Sequence, residues 1–113
     1  MRFGPHPQRS SLTVYSSQVS PVSPTDTYGY GALAAVAREA GSGADVAPGL
    51  VLGATDGRYA TAITDNVYRF VPAVLTPDEL TGFHGTNERT KVENVARMAR
   101  GYAQFILAMD AGE

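Results

Sequence analysis

The chain contains no cysteine, which excludes a disulfide framework and any thiolate metal site. Its apolar runs are all far shorter than the roughly 18 residues that a membrane-spanning helix needs. An excess of positive charge is also lacking. Nine Lys and Arg against eleven Asp and Glu give a net charge of -2, where a nucleic-acid binder would carry a basic patch. The opening "MRFGPHPQRSS" has two arginines but runs into "LTVYSSQVSPVSP", which is not the apolar centre of a signal peptide. The expectations are no nucleic-acid partner, no membrane and a cytoplasmic setting. Only two histidines are present, His6 and His84, and His6 lies in a proline-rich stretch with no functional signal around it.

What is present is enough for one domain. At 113 residues and 43% apolar content, the chain is long enough to build a single core and too short for two domains of ordinary size. Residues 1–10, rich in Pro, Ser and Gly, read as a disordered arm. Residues 11–20, "SLTVYSSQVS", alternate apolar and polar side chains at Leu12 and Val14 and suggest a strand. After "PVSP", Thr25 and Asp26 offer short polar side chains suited to capping a helix. That helix fits "YGYGALAAVAREAG", with Leu33, Val36, Ala37 and Ala40 on one face and Gly41 as a left-handed stop. "ADVAPGLVLGATDG" reads as two short buried strands broken at Pro48 and Gly49, and "NVYRFVPAVL" as a third.

The last segment has the clearest period. Val92, Val95, Ala99, Tyr102, Ile106 and Met109 recur at spacings of three and four, the pattern of one helix face over residues 91–109. Thr90 and Glu93 stand at the spacing of a capping box. The order of elements predicts an α/β fold.

Two stretches carry candidate chemistry. "GATDGR" at 53–58 follows an apolar run. A glycine-rich turn at the end of a buried strand can present backbone amides to an anion, with Arg58 as a bidentate clamp. The same residues also suit a plain tight loop in which Asp56 caps the next turn. "GFHGTNER" at 82–89 places His84 just before the final helix, with Asn87 and Glu88 in reach to orient it or a substrate. Taken locally, it equally suits a loop histidine followed by helix-entry charges. Arg89 fits that second reading less well, because a cation opposes the dipole at a helix N-terminus. The aromatic set "YRF" at 68–70, Tyr102 and Phe105 reads as core or interface.

The order of the motifs adds a resemblance. "PVSPTD", "VAPGLVLGATDGRY", "DNVYRFVP", "LTPDEL", "FHGTNER" and "VENVARMARGYAQFI" follow one another much as in the zinc aminoacylase and carboxypeptidase S branch of the co-catalytic zinc hydrolases. That superfamily includes succinyl-diaminopimelate desuccinylase and the glutamate carboxypeptidases. The resemblance implies an α/β catalytic domain interrupted by a smaller lid domain. Residues 11–20 would be the last lid strand, and residues 21–113 the C-terminal part of the catalytic domain, a few-stranded sheet packed by two main helices.

The family's site holds two zinc ions bridged by an aspartate and a water, with a glutamate as general base. By resemblance His84 is one zinc ligand, and Gly53 and Thr55 line the pocket for the substrate carboxylate. Asp56 and Arg58 would support that turn or reach the carboxylate, and Asn87 and Glu88 would support the histidine loop. Two departures touch substrate recognition: Ala54 stands where a glycine is usual, and Tyr59–Ala60 where relatives often have His–Tyr. The family's His-x-Asp motif and Glu–Glu pair are missing from the chain, so no catalytic residue falls within it.

The function implied is therefore that of a C-terminal fragment of a hydrolase cleaving amide bonds of N-acyl amino acids or small peptides by zinc-activated water. The fragment is expected to be inactive alone. The alternative is a non-catalytic remnant or assembly partner of a separately encoded N-terminal half. A small-molecule substrate, that N-terminal half, or a second copy paired through the lid strand are the partners implied.

Overall fold

A computed structural model describes residues 19–112. Their regular elements are four helices: α1 (Tyr28–Ala40), α2 (Gly57–Ala60), α3 (Pro77–Thr81) and α4 (Val92–Ala111).

Helix α1 starts where Thr27, in extended backbone, turns its hydroxyl to accept the Tyr30 N–H at 3.1 Å. Neither Thr25 nor Asp26 takes this role, because a capping side chain must come from the residue directly ahead of the first helical one. The helix closes at Gly41, whose N–H donates to Ala37 O. Gly41 keeps a φ of -86°, and the left-handed conformation expected there falls instead on Ser42 and Gly43. Gly43 returns its N–H to Arg38 O at 2.7 Å and Ser42 its N–H to Glu39 O at 3.1 Å, the paired closure of a Schellman turn. The apolar face expected for α1 is the one turned inward, with Val36 buried and Leu33, Ala37 and Ala40 half-buried.

Helix α4 spans the expected segment, but its cap and its inner face differ from expectation. Lys91 is the residue ahead of the first turn, with no side-chain cap, so Thr90 lies outside the position a capping box requires. The box forms instead at α3. Thr76 Oγ1 accepts the Glu79 N–H, and Glu79 Oε2 accepts the Thr76 N–H at 2.9 Å, with Pro77 in the first turn. "TPDE" has the same Thr-x-x-acid spacing as "TKVE", and proline in the first helical turn favours it.

The stripe Val92, Val95, Tyr102 and Ile106 faces away from α1 and is exposed. The residues turned inward are Asn94, Arg97, Met98, Gly101, Gln104, Phe105 and Ala108, about one position round the helix. Gly101 sets this choice. A Cβ there would lie 2.6 Å from Pro72 Cβ and 3.0 Å from Val36 Cγ1, so the missing side chain lets α1 and the 72 region approach α4 closely. Tyr28 Oη reaches Ala108 O at 2.7 Å and Gln104 Nε2 reaches Glu39 Oε2 at 2.7 Å, tying the two long helices at two more points.

The expectation of an α/β fold with a few-stranded sheet is overturned: the described residues contain no strand. Residues 44–52 and 66–76 lack regular structure, although both carry the expected strand pattern. The physical reason is pairing. A strand pattern states a preference for a pleated, half-buried surface, and a ladder forms only with a neighbour to share its hydrogen bonds. The second segment is instead fastened by side chains. Ser23 Oγ accepts the Val67 N–H at 2.9 Å and donates to Val67 O at 3.0 Å. Asn94 does the same at the other end, accepting from Val74 N at 3.1 Å and donating to Val74 O at 2.9 Å.

Of the expected lid strand over 11–20, residues 11–18 lie outside the described residues, and 19 and 20 have no regular structure. The expected arm over 1–10 lies outside them as well. Among the described residues no helix is long and apolar enough to cross a membrane.

Candidate functional site

The turn at 53–58 is built around a bond that the sequence reading did not single out. Arg69, from the segment fastened by Ser23 and Asn94, donates from Nε to Thr55 Oγ1 at 2.7 Å. Gly57 sits beneath this contact; a Cβ there would meet Thr55 Oγ1 at 3.3 Å and Arg69 Nε at 3.4 Å. Asp56 occupies the capping position of α2 but makes no capping hydrogen bond. Arg58 turns to its neighbour, with Nη2 donating to Tyr59 Oη at 2.7 Å and the guanidinium carbon 4.7 Å from the centre of the Tyr59 ring. Gly53, Thr55, Asp56 and Arg58 are all exposed. The turn borders a cavity of about 610 Å³, walled on one side by Leu33 and Ala37 of α1 and on another by Leu50 and Leu52. In "YRF" the signal for Arg69 was present, since alternation along an extended run places it on the opposite face from Tyr68 and Phe70.

The histidine loop has its own geometry. His84 adopts a left-handed backbone with φ 57°, and Asn87 does the same at 62°. Residues other than glycine occupy that region at a cost, and His and Asn are among those that tolerate it best. Glu88 supports the turn, one of its carboxylate oxygens accepting the His84 N–H at 3.2 Å, while Gly85 N–H returns to Gly82 O at 2.9 Å. His84, Asn87 and Glu88 are exposed. A concavity of about 320 Å³ next to the loop is walled by Asp78, Glu79, Asn87 and Arg89. Hydrogen bonds from the Thr76 backbone and hydroxyl hold the Glu79 carboxyl below its ordinary value, with Lys91 3.5 Å from Oε2 acting in the same direction. Among the described residues, no hydrogen bond joins this loop to the 53–58 turn, and the two border different concavities.

A metal needs several donors converging on one point. Among the described residues, no group of three or more His, Cys, Asp or Glu side chains is placed to hold one. His84 is a single exposed donor and Glu88 serves the backbone, so the residues present do not fit a metal centre.

Comparison with known proteins identifies relatives along most of the chain. It is 37% identical over 105 residues to an N-fatty-acyl-amino acid synthase/hydrolase of Xenopus tropicalis, a match covering 91% of this chain and 20% of that protein. It is 36% identical over 93 residues to the protein of the same description from Mus musculus, covering 80% of this chain and 18% of the relative. A probable carboxypeptidase S-like protein of Dictyostelium discoideum is 30% identical over 87 residues, 77% of this chain and 17% of its own length. The chain thus spans about a fifth of the length of these relatives. No protein-family model and no solved structure matches it. On these matches the chain belongs to the peptidase family of the carboxypeptidase S-like proteins and the N-fatty-acyl-amino acid synthase/hydrolases, as a C-terminal segment of it.

Proposed function

We propose that the chain is the C-terminal segment of a zinc-dependent hydrolase that cleaves the amide bond of N-acyl amino acids or small peptides, and that it is inactive alone. The observation that carries this reading is the run of matches to proteins named as hydrolases and carboxypeptidases, which includes the histidine loop and the 53–58 turn. In this reading His84 is the segment's contribution to the metal, presented by the left-handed turn that Glu88 holds. The general base and the remaining ligands come from the part of the family's length that the chain does not span. Thr55, fixed by Arg69, and Gly53 line the place of the substrate carboxylate, with Asp56 and Arg58 beside it.

The test is direct. The purified 113-residue chain, supplied with zinc and a panel of N-acyl amino acids, is expected to show neither turnover nor stoichiometric metal binding. Turnover with one or more tightly bound zinc ions per chain would contradict it.

A second reading is favoured by the surface. Leu50 and Leu52 are 83% and 97% exposed, which leaves roughly 1.5–3 kcal/mol of burial unrealised at each. A segment working as the assembly partner of a separately encoded half would leave such groups for its partner. Co-purification with a larger polypeptide of the same family supports that reading; a chain that stays alone and aggregates contradicts it.

A further inference from the structure

We propose that Asp56 and Gly57 form a self-modifying site, where the backbone converts to an isoaspartyl linkage through a cyclic imide. The site stands apart from the hydrolase reading and draws only on the chemistry of the 53–58 turn and on water.

Asp-Gly occurs once in the sequence, at this turn, and Asn-Gly does not occur. Glycine leaves its own nitrogen the least shielded, because it carries no Cβ. In the first step the Gly57 nitrogen loses its proton and bonds to Asp56 Cγ, while a carboxyl oxygen leaves as water. The imide ring then holds Cα, Cβ, Cγ and the main-chain carbonyl carbon of Asp56 together with the Gly57 nitrogen. In the second step water adds to that carbonyl carbon and its bond to nitrogen breaks. The chain now runs through Cγ, one methylene longer, and a free α-carboxylate is left beside it. One water is lost and one regained, so the composition is unchanged.

Three features of the turn favour this course. Asp56 is exposed and its side chain makes no capping hydrogen bond, so the carboxyl is not committed to α2. Helix α2 is itself a single turn of four residues, none of them buried. A helix so short does not repay its own nucleation and opens locally at little cost. That opening is required, because Asp56 sits at ψ -15° and ring closure needs a large rotation about this bond. The third feature is the glycine. A Cβ at 57 would crowd Thr55 Oγ1 at 3.3 Å and both Arg69 Nε and Val67 Cγ1 at 3.4 Å. The close approach by which Arg69 fastens Thr55 thus favours the residue that leaves Asp56 reactive.

The product does not return to α2. In the native turn Asp56 O accepts the Tyr59 N–H at 2.9 Å; after conversion that oxygen belongs to a carboxylate outside the main chain. Asp45 provides an internal comparison. It is exposed and lies in a stretch without regular structure, but β-branched Val46 follows it.

The test keeps the full 113-residue chain warm at neutral pH for several weeks and then digests it with trypsin. Cleavage after Arg38 and Arg58 releases one peptide, 39–58, that carries both Asp45 and Asp56. A species lighter by one water is expected first. A species of unchanged mass and shifted elution follows, which accepts a methyl group from an isoaspartyl carboxyl methyltransferase and which fragmentation assigns to residue 56. Asp56 is expected to convert about tenfold or more faster than Asp45. Its rate in the chain is expected to lie within about fivefold of that in a synthetic peptide 50–62. Gly57→Ala is expected to slow conversion by about fivefold or more. Asp56→Glu keeps Gly57 and its packing and is expected to abolish the signal, since glutamate would have to close a larger ring.

A smaller ratio between Asp56 and Asp45 would overturn the proposal, as would a signal that persists in Asp56→Glu. A chain in which Asp56 lags the peptide by more than about fivefold would overturn it too, by showing that α2 protects the site. None of these results bears on the hydrolase reading.

Discussion

Gly31 and Gly101 both sit inside helices, and their surroundings give them opposite roles. A Cβ on Gly31 would meet nothing within 4 Å, so Gly31→Ala removes backbone freedom from the unfolded chain at no steric cost. Its expected effect is a gain of about 0.5–1 kcal/mol, read as a higher urea midpoint. A Cβ on Gly101 would press on Pro72 and Val36, and Gly101→Ala is expected to cost about 1–3 kcal/mol in the same measurement. Asn94 is the other residue on which the helix pair depends. It is fully buried and holds both backbone groups of Val74, and it also accepts from Arg97 Nη1 at 3.1 Å. Asn94→Ala leaves these groups without partners, at a cost of about 1–3 kcal/mol for each one that stays buried. Composition hides this role. An asparagine in an apolar-periodic helix reads as a surface residue, and only the backbone laid against it makes it a core residue.

At the scale of elements, α3 is held by a carboxylate and should respond to acid. The Glu79 carboxyl lies below its ordinary value of 4.5 because the Thr76 backbone and hydroxyl bind its charged form. A folded-state value below the unfolded one contributes stability that is present above the unfolded value and is lost as pH falls through the folded one. Lowering the pH from about 6 to about 3 is therefore expected to reduce the protection of the Glu79 and Leu80 amides, measured as the exchange rate relative to the unfolded-chain rate at the same pH, and Glu79→Gln should flatten that dependence. Thr76→Ala is expected to cost about 1 kcal/mol and to remove the effect along with its cause.

The same scale shows what the sequence could and could not convey. The spans of α1 and α4 follow from apolar period and stop signals that are local to the chain. The inner face of α4 does not, because the stripe through Val95, Tyr102 and Ile106 states which side chains favour burial and not which partner is at hand. Gly101 and Asn94 decide the contact that forms, through size and hydrogen bonding. The strand patterns at 50–52 and 66–75 failed for a related reason: a pattern of alternation states a preference, and no segment among the described residues pairs with them.

At the scale of the whole molecule, the two candidate stretches, the histidine loop and the 53–58 turn, border different concavities. The histidine loop was legible from "FHGTNER" only through the order of motifs around it. Locally it offers one imidazole, a left-handed turn and a glutamate turned to the backbone. The 53–58 turn was legible as a glycine-rich loop, but its fastening by Arg69 depends on a contact 14 residues away in sequence. Among the described residues, apolar groups such as Leu50, Leu52 and Ile106 are exposed, and Val36 and Pro72 are the apolar side chains buried where α1 meets α4. So small a core among the described residues predicts a low stability for the 113-residue chain, read as a shallow urea transition at a low midpoint.

The central claim is that His84 belongs to a site most of which lies elsewhere in the family's length. The measurement that bears on it most directly is hydrolysis of an N-acyl amino acid by the 113-residue chain alone, by its mixture with the unmatched part of a relative, and by the same mixture carrying His84→Ala. The account predicts no turnover for the chain alone, turnover for the mixture, and loss of about a hundredfold or more with His84→Ala. Turnover by the chain alone, or a mixture whose activity survives His84→Ala undiminished, would contradict it.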